Sequence, residues 1–166
     1  MFFGLACKVW AAPPTHESMK NILLFVFLLA LSPVAFAKSL SNVDGSGVGI
    51  QGYDPVAYFT DNKAVKGDAQ FQSTANGVVY WFASADHKAA FDANPAKYEP
   101  LFGGFCAWAV SKGYTAQVDP NAFQVVDGRL FLQYSLKIRD GFSKDTAGNL
   151  KKAEANWPGI VEKKGK

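Results

Sequence analysis

Residues 69–82 read AQFQSTANGVVYWF, and this stretch predicts the fold class. β-Prone residues lie on both sides of Asn76-Gly77, a pair that accepts the positive φ angles of a type I′ turn. The stretch therefore predicts a β-hairpin with strands at 69–74 and 78–82.

A second hairpin is predicted at residues 122–134, with Asp127-Gly128 at its turn. A serine follows each hairpin, Ser84 and Ser135, and its hydroxyl can accept a free backbone N–H from a helix that begins there. The amino-acid sequence shows no internal repeat, and the predicted hairpins and helices are segregated rather than alternating. We therefore predict an α+β fold, a small single domain of two β-hairpins with short helices packed on them.

The chain has 166 residues, of which 49% are hydrophobic, and a formal net charge of +3 at pH 7. This length fits one domain, and the apolar content is too high for a chain that is mostly disordered. The charge is too small and too scattered to predict a nucleic-acid partner. Two cysteines cannot build a disulfide framework.

The N-terminal region carries the features of a secretory signal peptide. Residues 22–31 read ILLFVFLLAL, with Lys20 before them and Ala35-Phe36-Ala37 after them. A membrane anchor is the alternative, but a spanning helix needs about 20 apolar residues. We therefore predict a signal peptide at 19–37, cleaved after Ala37, and a periplasmic product with no stable membrane span. Residues 1–18 are interpreted as a start-site extension.

The predicted mature chain divides into three parts. Residues 38–51 are rich in Ser and Gly and predict a flexible arm, 52–158 form the folded domain, and 159–166 form a charged, frayed tail. Within the domain, the apolar run Val56–Thr60 predicts a short strand. Cleavage leaves Cys106 as the single cysteine and His87 as the single histidine.

Several motifs in combination resemble a known family. They are GYDPVAYF at 52–59, the run from Asn76-Gly77 to Ser84, and Asn94-Pro95 with Lys97-Tyr98. Together they resemble a YHS domain, a small module related to the cysteine-rich, metal-binding TRASH domains. The continuation GGFCAWAV at 103–110 is similar to an exported bacterial subgroup of stand-alone YHS proteins. The resemblance implies a YHS/TRASH-like core with a C-terminal helical extension, and no single activity.

The resemblance implies a metal site that has lost most of its ligands. Ala57 and Ala83 stand where metal-handling members have cysteines, while His87 falls on another cysteine position and could still ligate. Cys106 is a possible replacement ligand from the extension. Thiolate and imidazole suit copper or zinc, but structural zinc needs four ligands. The first hypothesis is a non-enzymatic protein that binds a copper ion at His87 and Cys106, for sequestration or for delivery between a metal donor and an acceptor.

Two other hypotheses stay open at this point. A free cysteine in an apolar stretch is often buried in a core, and a lone histidine often bonds locally, so the chain could be a metal-free protein-interaction module. The weaker alternative is an enzyme that uses Cys106 as a nucleophile. The candidate pocket or interaction residues are Tyr53, Asp54, Tyr58, Trp108 and Tyr114.

Overall fold

The computed structural model describes residues 38–166. The predicted signal peptide at 19–37 and the extension at 1–18 lie outside the described residues. Two antiparallel hairpins and several helices make up the described chain, which confirms the predicted α+β class. Every helix in this part of the chain is too short or too polar to cross a bilayer.

Both predicted hairpins are present. Strand β1 (Asp68–Ala75) pairs with β2 (Val78–Phe82), and β3 (Asp119–Val126) pairs with β4 (Arg129–Gln133). The two turn residues have φ values of 50° and 78° in the first hairpin and 52° and 70° in the second. These are the left-handed angles that an Asn-Gly or Asp-Gly turn supplies at low cost.

Helices follow each hairpin and fill the connections between them. Ser84 and Ser135 accept the backbone N–H groups of His87 and Ile138, so both predicted caps are confirmed. The helices are α1 (Ala57–Thr60), α2 (Ala85–Ala93), α3 (Pro95–Tyr98), α4 (Ala107–Ser111), α5 (Leu136–Phe142) and α6 (Thr146–Lys164). Single 3₁₀ turns lie at Ile50–Gly52, Leu101–Gly104 and Ser143–Asp145.

The chain contains an internal structural repeat, so the expectation of no repeat is wrong. Each element of residues 50–93, the first repeat, recurs 51 residues later in residues 101–144, the second repeat, from 3₁₀ turn to strands, serine cap and helix. Even the register shift in the first strand of each hairpin recurs at the same spacing.

The repeat is not evident in the amino-acid sequence because few residues are identical at equivalent positions. Tyr58 corresponds to Ala109, and Phe82 corresponds to Gln133. What recurs is the backbone: positive φ values in the 3₁₀ turns and hairpins, and a serine before each helix. Backbone angles and serine caps are therefore shared by the two repeats where side chains are not.

The hydrophobic core lies between the repeats and under the last helix. One cluster joins Tyr58, Phe82 and Phe91 of the first repeat to Leu130 and Leu132 of the second, all with almost no exposed surface. A second cluster packs α4 and α5 against α6. Because the first cluster draws on both hairpins, neither hairpin is buried by its own helix alone.

The arm and the tail predicted to be loose are held in place. Ser39 exchanges two backbone hydrogen bonds with Lys166, and the Asn42 N–H donates to the Gly103 carbonyl. Val48 and Ile50 are buried, and α6 continues through Pro158 to Lys164. The flexible arm at 38–51 and the boundary at 158 are therefore corrected, because these contacts join residues far apart in sequence.

Candidate functional site

An apolar cleft of about 260 Å³ opens beside Cys106. Its walls come from the start of α4, the segment that follows α4, and the first turn of α5 with the segment before it. The residues that line it are Cys106, Trp108, Ala109, Tyr114, Ala116, Tyr134 and Ile138. Three residues singled out from the sequence, Cys106, Trp108 and Tyr114, thus share one site. Tyr134 and Ile138 were not predicted, because they come from the segment after the second hairpin.

The Cys106 thiol forms part of the cleft wall and is held by two hydrogen bonds. Its S–H donates to Gln133 Oε1 over 3.3 Å, and its sulfur accepts the Tyr134 N–H over 3.3 Å. Gln133 Oε1 also accepts the Trp108 N–H. These bonds join α4 to the end of β4. Cys106 is only 2% exposed.

Gln133 is a residue that the sequence gave no reason to select. Its side chain is fully buried, and its Nε2 has no hydrogen-bond partner among the described residues. The oxygen is fixed towards Trp108, because a backbone N–H there needs an acceptor. A glutamine at the end of a strand normally indicates an exposed face, which is why this side chain was missed.

The rim of the cleft is aromatic and exposed. Tyr134 is 61% exposed and Tyr114 is 51% exposed, and Leu136, which follows in α5, is also exposed. Lys112 Nζ lies 5.3 Å from the centroid of the Trp108 ring. Among residues 38–166 no carboxylate lines the cleft, so its described surroundings are apolar with a cation at the edge.

His87 occupies a different and polar environment. Its Nδ1 lies 2.7 Å from Oδ2 of the fully buried Asp54, and its Nε2 lies 3.4 Å from Thr60 Oγ1. Asp54 Oδ2 also accepts the Ala83 N–H, and its Oδ1 accepts the Val56 N–H. Because Oδ1 caps the next turn, residues 57–60 form α1 rather than the predicted strand.

The two remaining candidate residues lie outside the cleft. Tyr58 is buried against Phe123, and its hydroxyl donates to the Pro120 carbonyl over 3.1 Å. Burial, reinforced by the neighbouring acidic groups, raises the pKa of Tyr58 well above its usual range, so it stays a neutral donor. Tyr53 is half-buried and packs under Lys66 Nζ.

The two proposed copper ligands have separate surroundings. Cys106 contacts Gln133 and Tyr134, whereas His87 contacts Asp54 and Thr60, and no hydrogen bond joins the two side chains. Residues 38–166 also contain no group of three or more His, Cys, Asp or Glu residues arranged to hold a metal ion. The two-ligand copper site therefore stays a prediction.

The chain matches no protein-family model, no curated protein and no solved structure. The resemblance to YHS domains rests on the motifs in the sequence alone.

Proposed function

We propose that this protein is an interaction module whose cleft beside Cys106 holds one large apolar side chain of a partner protein. The observation that carries the proposal is the cleft itself, apolar inside and bordered by exposed Tyr114 and Tyr134. Tyrosine and tryptophan supply much of the buried area in protein interfaces. The volume, about 260 Å³, lies below the range of about 300–1,000 Å³ for drug-sized ligands, which favours a single side chain.

Charge restricts the partner further. Lys112 lies over the Trp108 ring, and Lys137 is exposed between Leu136 and Ile138 in α5. Neither lysine pairs with a carboxylate among the described residues. A partner segment that carries carboxylates beside an aromatic or branched anchor complements both features. The protein would act in the periplasm after cleavage at Ala37.

The proposal is tested by nuclear magnetic resonance with two matched peptides, Asp-Trp-Asp and Lys-Trp-Lys. We expect the acidic peptide to shift the backbone signals of Trp108, Tyr114 and Tyr134 in a saturable manner, and the basic peptide to bind at least about tenfold more weakly. Tyr134→Ala should weaken binding, whereas Val43→Ala, which removes an exposed apolar side chain elsewhere, should not. Scattered shifts, or equal binding of the two peptides, overturn the proposal.

The same spectra test the copper hypothesis. Copper(I) bound by His87 and Cys106 shifts the signals of both residues together, and His87→Ala abolishes the shift at Cys106. A Cys106 shift that survives in His87→Ala contradicts the paired site. An enzyme that uses Cys106 as its nucleophile has less support. Cys106 is almost fully buried, and the residues that line the cleft include no base.

A further inference from the structure

Asp54, His87 and Thr60 form a chain of polar groups outside the cleft. The carboxylate of Asp54 lies 2.7 Å from His87 Nδ1, and His87 Nε2 lies 3.4 Å from the Thr60 hydroxyl. The order is carboxylate, imidazole, hydroxyl, and the three residues come from the turn before α1, the first turn of α2 and the end of α1. This is the order in which hydrolases arrange an orienting acid, a base and a nucleophile.

The buried carboxylate fixes the state of the imidazole. A carboxylate can only accept hydrogen bonds, so the proton shared with Asp54 lies on His87 Nδ1, and the tautomer with that proton alone presents the Nε2 lone pair to Thr60. The Thr60 hydroxyl also lies 3.2 Å from the Val56 carbonyl. Its proton can therefore turn from Val56 to Nε2 without movement of the heavy atoms.

The second repeat shows that the fold does not require this chain of groups. At the positions equivalent to Asp54 and His87, 51 residues later, stand Phe105 and Ile138. The same hairpin, serine cap and helix form there without a carboxylate or an imidazole. His87 is therefore not explained by the architecture that surrounds it.

Two of the three backbone N–H groups that Asp54 accepts, those of Ala57 and Ala83, have counterparts in the second repeat that neutral side chains satisfy. Gln133 Oε1 accepts the Trp108 N–H, and the Cys106 sulfur accepts the Tyr134 N–H. Backbone N–H groups at these positions therefore need no charged acceptor. The charge of Asp54 acts most directly on His87, whose ring it orients and polarises.

We propose that Thr60, His87 and Asp54 transfer acyl groups from small carboxylic esters to water. The Thr60 oxygen attacks the ester carbonyl carbon, and the hydroxyl proton of Thr60 passes to His87 Nε2. The proton on His87 Nδ1 stays there, hydrogen-bonded to the Asp54 carboxylate. The C–O bond to the leaving group then breaks, and the leaving oxygen takes the proton from Nε2. Water hydrolyses the acylated Thr60 through the same transfer, which regenerates the protein.

The position of the three groups suits a small substrate. Thr60 is exposed and the His87 side chain is 20% exposed, so an ester can approach from solvent, while Asp54 stays buried behind the ring. The inference is independent of the partner proposed for the cleft.

The test uses the full chain and 4-nitrophenyl acetate as the ester. We expect His87→Ala and Thr60→Val to lower the rate about 100-fold, the scale of general-base catalysis, whereas Thr60→Ser retains activity. Thr74→Val, which changes an exposed threonine on β1, is the matched control and should have no effect. Mass spectrometry of a quenched reaction should find acetyl on the peptide that contains Thr60. An unchanged rate in Thr60→Val, or acetyl on lysines alone, overturns the proposal.

Asp54 acts through His87 and is a positioning residue, so it needs a readout besides the rate. Asp54→Asn should lower the rate and should also convert the single Nδ1–H tautomer of His87 into a mixture, visible in the ¹⁵N shifts of the ring. A folded Asp54→Asn protein that keeps one tautomer and the full rate contradicts this role. Circular dichroism establishes that the variant is folded.

Discussion

At the scale of single residues, Asp54 has the most consequences for its neighbours. Its two oxygens accept backbone N–H groups from α1 and from the turn after β2, and one of them also accepts His87 Nδ1. One buried carboxylate thereby joins two elements that are about 30 residues apart along the chain. Its loss leaves several buried donors without an acceptor, which costs more than the loss of one hydrogen bond.

Asp54→Ala should therefore lower the free energy of unfolding by about 3 kcal/mol, measured by urea denaturation at neutral pH. Asp44→Ala is the matched control. Asp44 also accepts two backbone N–H groups, from Ser46 and Val48, but it is exposed, so water replaces the lost acceptor. We expect a loss below about 1 kcal/mol there. Equal losses in the two variants contradict a special role for the buried carboxylate.

At this scale the sequence indicates single residues by their chemistry but not which residues meet in space. Cys106, Trp108 and Tyr114 were selected by their chemistry, and all three line one cleft. The partners of His87 could not be predicted, because Asp54 and Thr60 are distant in sequence and ordinary in composition. Gln133 gave no signal, since a buried glutamine is recognised only from the groups around it.

At the scale of elements, the two hairpin turns are the features that sequence predicts best. Asn76-Gly77 and Asp127-Gly128 both adopt left-handed φ angles. These residue types adopt such angles at low cost without help from the rest of the fold. The serine caps are equally local. By contrast, the Ser and Gly content of residues 38–51 predicts a flexible arm. That prediction is wrong because the arm forms hydrogen bonds with Gly103 and Lys166, which no local pattern reveals.

Gly77→Ala and Gly128→Ala isolate the contribution of the turn angles. A Cβ at either glycine meets nothing within 4 Å, so the only penalty is the positive φ, and we expect each variant to lose about 1 kcal/mol in urea denaturation. Gly45→Ala is the control, since that position is equally open and has no positive φ. It should be neutral within about 0.5 kcal/mol. A neutral Gly77→Ala variant contradicts the type I′ turn.

At the scale of the whole molecule, two similar repeats share one core. Phe91 of the first repeat and Phe142 of the second occupy equivalent positions and are both fully buried, although they belong to different clusters. The first cluster also contains Leu130 and Leu132 from the second hairpin. The two repeats therefore have similar architectures but share buried contacts. Unfolding of one repeat exposes core residues of the other.

Phe91→Ala and Phe142→Ala test this dependence. Each removes a buried aromatic ring and should cost about 3 to 5 kcal/mol. Because the core is shared, both variants should still unfold in one transition, with far-ultraviolet circular dichroism and the reactivity of Cys106 changing at the same urea concentration in a Cys7→Ser background. If the Cys106 thiol stays protected in Phe91→Ala after the first repeat has unfolded, the second repeat folds by itself and the shared core does not join them. Coincident transitions in both variants show that the two repeats unfold together.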